Sequence, residues 1–108
     1  MDIKDLMKEA YEASKTKGFY EKPRTFGDVI ALCHSELSEA LEEYRKWGED
    51  FRVYYREDKP VGIPIEFADV IIRIADYCGY RGIDLEKAIR DKLDYNQTRS
   101  HRHGEKTI

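Results

Sequence analysis

Apolar residues recur every three or four positions along most of this chain, and glycine, proline and short charged stretches interrupt the recurrence. Ile3, Leu6, Met7, Ala10 and Ala13 fall on one stripe, which predicts a first helix over about 2–17. Asp2 suits its N-cap and Gly18 its stop. After a connector containing Pro23, residues Phe26, Ile30, Cys33, Leu37, Ala40, Leu41 and Tyr44 share a face. This is the longest predicted helix, about 25–47, opened by Thr25 and Asp28 in the manner of a capping box. A third helix is predicted over about 63–80, with Pro64 in its first turn and Gly79 and Gly82 ending it. Asp84 then caps a fourth, about 84–99, with Glu86 in its first turn. Residues 48–61 are charged and aromatic without a clean period and are expected to be a flexible loop. Residues 100–108 read as a polar, basic tail.

Four helices and no convincing strand predict an all-α fold, with one domain spanning 1–108. A chain of 108 residues buries only a modest core, so the expected form is an oligomeric helical bundle, a homodimer or homotetramer.

Charge alters this picture little. The 22 acidic and 19 basic residues leave a net charge of −3, too small to argue for nucleic acid or a membrane as partner. Charged residues make up 38% of the chain, above the usual ~25%, which suits helices with solvated faces. The N-terminus, Met1-Asp2-Ile3-Lys4-Asp5, has no apolar stretch of a signal peptide, and no run approaches the ~18 apolar residues of a membrane span. Cys33 and Cys78 sit inside apolar helical patterns and read as core thiols, without the close Cys/His spacing of a zinc site. A cytoplasmic protein is expected.

The chemistry lies in charged residues at helical spacing. In the third segment Glu66, Asp69, Arg73 and Asp76 form one narrow stripe on a helix that is otherwise mostly apolar: Phe67, Val70, Ile71, Ile74 and Cys78 on one broad side. Such a helix belongs at the centre of a bundle. The stripe is either a solvent face or a functional one. In the second segment Glu36 and Glu39 are an i, i+3 pair beside the apolar stripe, with Glu43 a turn further on. Each pair alone is ordinary. Together, two helices each offering two carboxylates one turn apart supply the oxygen donors that Mg²⁺ requires. Without a cation, two carboxylates ~4 Å apart repel by about 4 kcal/mol at an effective dielectric of 20. The cluster is therefore either splayed into water or metal-bound. A di-iron bundle would need Glu-x-x-His, and positions 39 and 69 are Glu and Asp.

In the fourth segment the face defined by Leu85, Ala88 and Ile89 continues to Lys92, Asn96 and Arg99. The row is either a frayed end with snorkelling side chains or an anion site. Trp47 and the tyrosines are candidates for stacking on a base, although such aromatics more often serve core or interface. His34 reads as an exposed helix residue, and His101 and His103 as part of a basic tail.

These motifs occur in a characteristic order. Glu36-Leu-Ser-Glu39, then Glu66-Phe-Ala-Asp69-Val, then Lys92-x-x-x-Asn96-x-x-Arg99 resemble the MazG-like all-α nucleoside triphosphate pyrophosphohydrolases. The resemblance covers roughly 25–106 and includes Gly82-Ile-Asp-Leu-Glu and the His103-Gly-x-Lys ending. It implies hydrolysis of a (d)NTP to the monophosphate and pyrophosphate, in a nucleotide-pool house-cleaning role. It implies Mg²⁺, with Mn²⁺ able to substitute, on Glu36, Glu39, Glu66 and Asp69, with Glu36 or Glu39 activating water. It also implies nucleotide contacts from Lys92, Asn96 and Arg99, and an oligomer whose sites are completed across the interface. Two features depart from the pattern. Ser35 stands where many relatives carry a further Glu, and Arg73 interrupts the acidic stripe, where it could pair with Asp69 or Asp76 or reach a phosphate. The rival reading is a non-catalytic helical dimerisation or regulatory module with its carboxylates in water.

Overall fold

The computed structural model describes residues 1–99; the predicted tail over 100–108, with His101 and the His103-Gly-x-Lys ending, lies outside them. Four helices and one hairpin follow in order: α1 (Ile3–Thr16), α2 (Phe26–Trp47), β1 (Tyr54–Arg56), β2 (Lys59–Val61), α3 (Ile63–Arg81) and α4 (Leu85–Thr98). The chain is mostly helical, as its periodicity predicts. The side-chain caps fall at the expected residues. Asp2 accepts from the amide of Asp5, Thr25 from that of Asp28 and Asp84 from that of Lys87. Each satisfies an N–H that the first helical turn leaves unpaired. Among the described residues no helix is long and apolar enough to cross a membrane.

The segment 48–61 corrects one expectation. It is not a featureless loop: Tyr54 pairs with Val61, Tyr55 with Pro60 and Arg56 with Lys59 in an antiparallel hairpin. The two turn residues, Glu57 and Asp58, both have positive φ, at 52° and 66°. A primed two-residue turn requires that conformation, and it matches the twist of the strands. The usual Asn-Gly signature is missing and Pro60 stands within a strand, so the pattern carries little hairpin signal. A two-stranded ribbon tolerates Pro60 because both its strands are edges.

At the centre of the fold is α3. Both α1 and α2 pack along it, β2 touches its start, and α4 lies against α1. Gly79 does not end α3, as the sequence suggests; the helix continues to Arg81. A Cβ at Gly79 would stand 2.8 Å from Met7 O and from Tyr11 Cβ, so its missing side chain is what lets α1 approach. The true stop is Gly82, in the left-handed conformation.

The apolar faces are distributed unexpectedly. The buried positions of α2 are Val29, Cys33, Glu36 and Ala40, while Phe26, Ile30, Leu37, Leu41 and Tyr44 from the predicted core stripe are exposed. On α3 the charged stripe is half-buried, and Phe67, Ile71 and Ile74 are exposed. Apart from Ile63, the buried apolar set is small or medium side chains: Ala10, Val29, Cys33, Ala40, Val61, Ala75 and Cys78. Both cysteines are free thiols, as expected. Among the described residues no large side chain is completely buried.

Candidate metal centre

The centre forms where α2 and α3 cross. Glu36 belongs to the buried stripe of α2, one helical step from both Cys33 and Ala40, so packing α2 on α3 carries it inside. It is the one charged residue among the described ones that is buried. Glu39, one turn on, stays at the exposed edge. Glu66 arrives from the first turn of α3, where the amide of Glu66 bonds to Gly62 O at 3.1 Å. Gly62, at φ 118°, turns the chain from the hairpin into this helix, and a Cβ there would stand 2.7 Å from Arg52 O. One carboxylate oxygen from each of Glu36, Glu39 and Glu66 lies within 4.8 Å of the others.

Asp69 stands beside Glu36 rather than completing that tight trio. Burial, and then the Glu36 carboxylate, push the Asp69 carboxyl up. Glu66 is affected more strongly: burial first, then Glu39 and Glu36, push it up to about 8. Burial acts to raise Glu36 as well, but hydrogen bonds with Glu66, Arg73 and Asp69 outweigh it and hold this carboxyl below its usual range. Glu36, Glu66 and Asp69 form one titrating unit, in which negative charge rests most easily on Glu36 and less easily on the other two.

Arg73 joins the centre from α3. Its Nη2 donates to Glu36 Oε1 at 3.2 Å. It therefore pairs with neither Asp69 nor Asp76, the two acidic partners the sequence offered. Asp76 is held instead by hydroxyls from Ser14 of α1 and Tyr20 of the α1–α2 connector. Tyr20 stacks on Tyr80 with ring centroids 4.2 Å apart and meets Tyr11 edge-on at 5.4 Å. Sequence reasoning missed Ser14 and Tyr20, because no local pattern links either to position 76.

Two polar atoms of the centre, Glu66 Oε2 and Arg73 Nε, are buried without a hydrogen-bond partner. An unpartnered buried carboxylate oxygen is costly and calls for an explanation. An all-oxygen donor set with excess negative charge fits a hard divalent cation, which would supply the missing partner for Glu66. The centre borders two cavities. One, of about 420 Å³, is lined by Ser14, Tyr20, Arg24, Asp69, Arg73 and Asp76 among others. The second, of about 300 Å³, opens on the Glu39–Glu66 side.

The predicted basic row is not part of this centre within one chain. No residue of α4 is buried. Lys92 and Arg99 lie over the ring of Tyr95, at 5.0 and 5.6 Å, and Asn96 is exposed. None of the three lines either cavity beside the carboxylates. His34 and Trp47 are exposed. No protein-family model matches the chain, and searches of curated proteins and of solved structures return no match.

Proposed function

We propose that this protein is a Mg²⁺-dependent hydrolase that converts a nucleoside triphosphate to its monophosphate and pyrophosphate. The observation that supports it most is the convergence of Glu36, Glu39 and Glu66 within 4.8 Å, with Glu66 Oε2 buried and unpartnered. A non-catalytic module has no need to bring carboxylates together at this cost; the rival reading leaves them in water, whereas Glu36 is buried.

Glu36, Glu39, Glu66 and Asp69 would hold the ion. When bound, it supplies Lewis-acid polarisation of the phosphate and offsets developing negative charge. The chain's own groups divide the remaining work. Glu36 is committed to Arg73, so its position is fixed and its basicity low. Glu39 is exposed and makes no ion pair, which suits it to orient a water and take its proton as that water attacks the α-phosphorus. Lys92, Asn96 and Arg99 serve the nucleotide only if a second copy brings its α4 to this centre. The exposed apolar faces of α2 and α3 favour such a homo-oligomer.

The test is a panel of canonical and modified (d)NTPs with Mg²⁺ or Mn²⁺, followed for pyrophosphate release. Pyrophosphate is expected from at least one substrate, and E39Q and D69N should abolish it. Orthophosphate as the product would assign the wrong bond, and near-normal turnover in E39Q would remove Glu39 from the mechanism.

A further inference from the structure

The hairpin places cations on the open side of the carboxylate centre. Arg56 and Lys59 are direct cross-strand partners, so their side chains leave the same face of the ribbon. Two residues back along each strand, that face carries Tyr54 and Val61. Val61 is buried, and the Tyr54 hydroxyl donates to both oxygens of Glu43, at 2.8 and 3.0 Å. The face is thereby fixed toward the helices. Arg56 and Lys59 line the 300 Å³ cavity together with Lys46 of α2 and with Glu39 and Glu66 of the metal centre.

Lys46, Arg56 and Lys59 are exposed, and two details distinguish them from scattered surface charge. Like charges directly opposite one another destabilise a strand pair, and the turn would accept neutral residues there. Moreover, none of Lys46, Arg56 and Lys59 forms an ion pair, although the cavity they line also contains Glu39, Glu42, Glu43 and Glu66. Cations that stand beside carboxylates without neutralising them remain available to an anion. An anion between them and a divalent ion on Glu39 and Glu66 would be contacted by positive charge from two sides, as the outer phosphates of a triphosphate require.

We propose that Arg56 and Lys59 of the hairpin, with Lys46 of α2, hold the two outer phosphates of the nucleotide, the part that departs as pyrophosphate. This rests on the proposed function and assigns the phosphate-holding role to the same chain that carries the carboxylates. It orients the substrate: the α-phosphorus lies at the carboxylates and the β- and γ-phosphates under the hairpin.

The experiment compares wild type, R56Q/K59Q, the charge-preserving R56K/K59R, and K8A/K15A as a control that removes two positive charges from α1. Calorimetry with Mg²⁺ and a non-hydrolysable α,β-imido nucleoside triphosphate reads nucleotide affinity. Mn²⁺ binding without nucleotide, read by electron paramagnetic resonance, reports the metal site separately. R56Q/K59Q is expected to weaken analogue binding at least tenfold and to raise KM, with Mn²⁺ affinity kept or tightened. R56K/K59R and K8A/K15A should stay within about threefold of wild type. Unchanged analogue affinity in R56Q/K59Q, in a wild type that binds the analogue and releases pyrophosphate, overturns the phosphate assignment and leaves the proposed function standing. A wild type that neither binds the analogue nor releases pyrophosphate overturns both.

Discussion

Arg73 Nη2 donates to Glu36 Oε1 at 3.2 Å, joining the one basic residue of α3's charged stripe to the buried carboxylate of α2. The pair sits at the meeting of the two helices, so it bears on both packing and chemistry. Replacing Arg73 with Met keeps much of the side-chain volume and leaves Glu36 without its cation. Leaving a buried acceptor without its partner typically costs about 1–3 kcal/mol, more for a fully buried charge, and Arg73 itself is only half-buried. R73M should lose about that much in urea unfolding of the metal-free protein. The loss should narrow with saturating Mg²⁺, because the ion offers Glu36 a substitute positive charge.

The carboxylates also set a pH dependence. The folded Glu66 carboxyl titrates near 8 against an ordinary 4.5, so between those values the folded state binds more protons than the unfolded one. Its contribution is fully present below about 4.5 and is lost as pH rises toward 8. Asp69, also raised, acts in the same direction, whereas Glu36, which is lowered, stabilises above its unfolded value. Thermal melts of metal-free protein should therefore fall from pH 5 to pH 8. Mg²⁺ requires the ionised carboxylates, so its stabilising shift should grow over the same range. A Mg²⁺ shift that shrinks with pH would contradict this assignment.

The approach of α1 to α3 depends on Gly79. Alanine there would place a methyl 2.8 Å from Met7 O and Tyr11 Cβ, and backbone cannot swing aside as a flexible side chain can. G79A should lower stability by about 1–3 kcal/mol, the usual range for an overpacked contact. Near-UV circular dichroism should also change, because Tyr11 and Tyr80 lie across this contact with centroids 6.1 Å apart.

The outward apolar residues predict self-association. Leu37 is 46% exposed, Leu41 56%, Phe67 50% and Ile71 54%, on two adjacent helices. L41K should move the protein toward monomer in analytical ultracentrifugation and lower its melting temperature at dilute concentration. An assembly unchanged in L41K would place the interface elsewhere.

Much of this architecture was legible in local patterns. Asp2, Thr25 and Asp84 cap the helices they were expected to cap, because an unpaired amide in the first turn needs an acceptor a few residues away. The pairs Glu36–Glu39 and Glu66–Asp69 were legible as carboxylate pairs for the same reason: i, i+3 spacing puts both members on one side of a helix. The hairpin was harder to read. Its turn is Glu57-Asp58 rather than a glycine pair, and Pro60 masks the second strand.

The sequence by itself determined four helices, their starts and the grouping of charges into stripes, all of which depend on contacts within about one turn. Which stripe faces which was decided only by the tertiary structure. Periodicity placed Phe26, Ile30, Cys33, Leu37, Ala40, Leu41 and Tyr44 on one apolar face, yet packing buried only Cys33 and Ala40 of these, added Val29 and Glu36, and left the larger residues outside. On α3 the half-buried charged stripe runs beside Ala75, Cys78 and Gly79, whose small size allows a neighbouring helix to come close. The joining of Glu36 to Arg73, of Asp76 to Ser14 and Tyr20, and of Arg56 and Lys59 to the Glu39–Glu66 cavity spans distant parts of the chain. No local spacing encodes such neighbours; they exist only once the helices have docked.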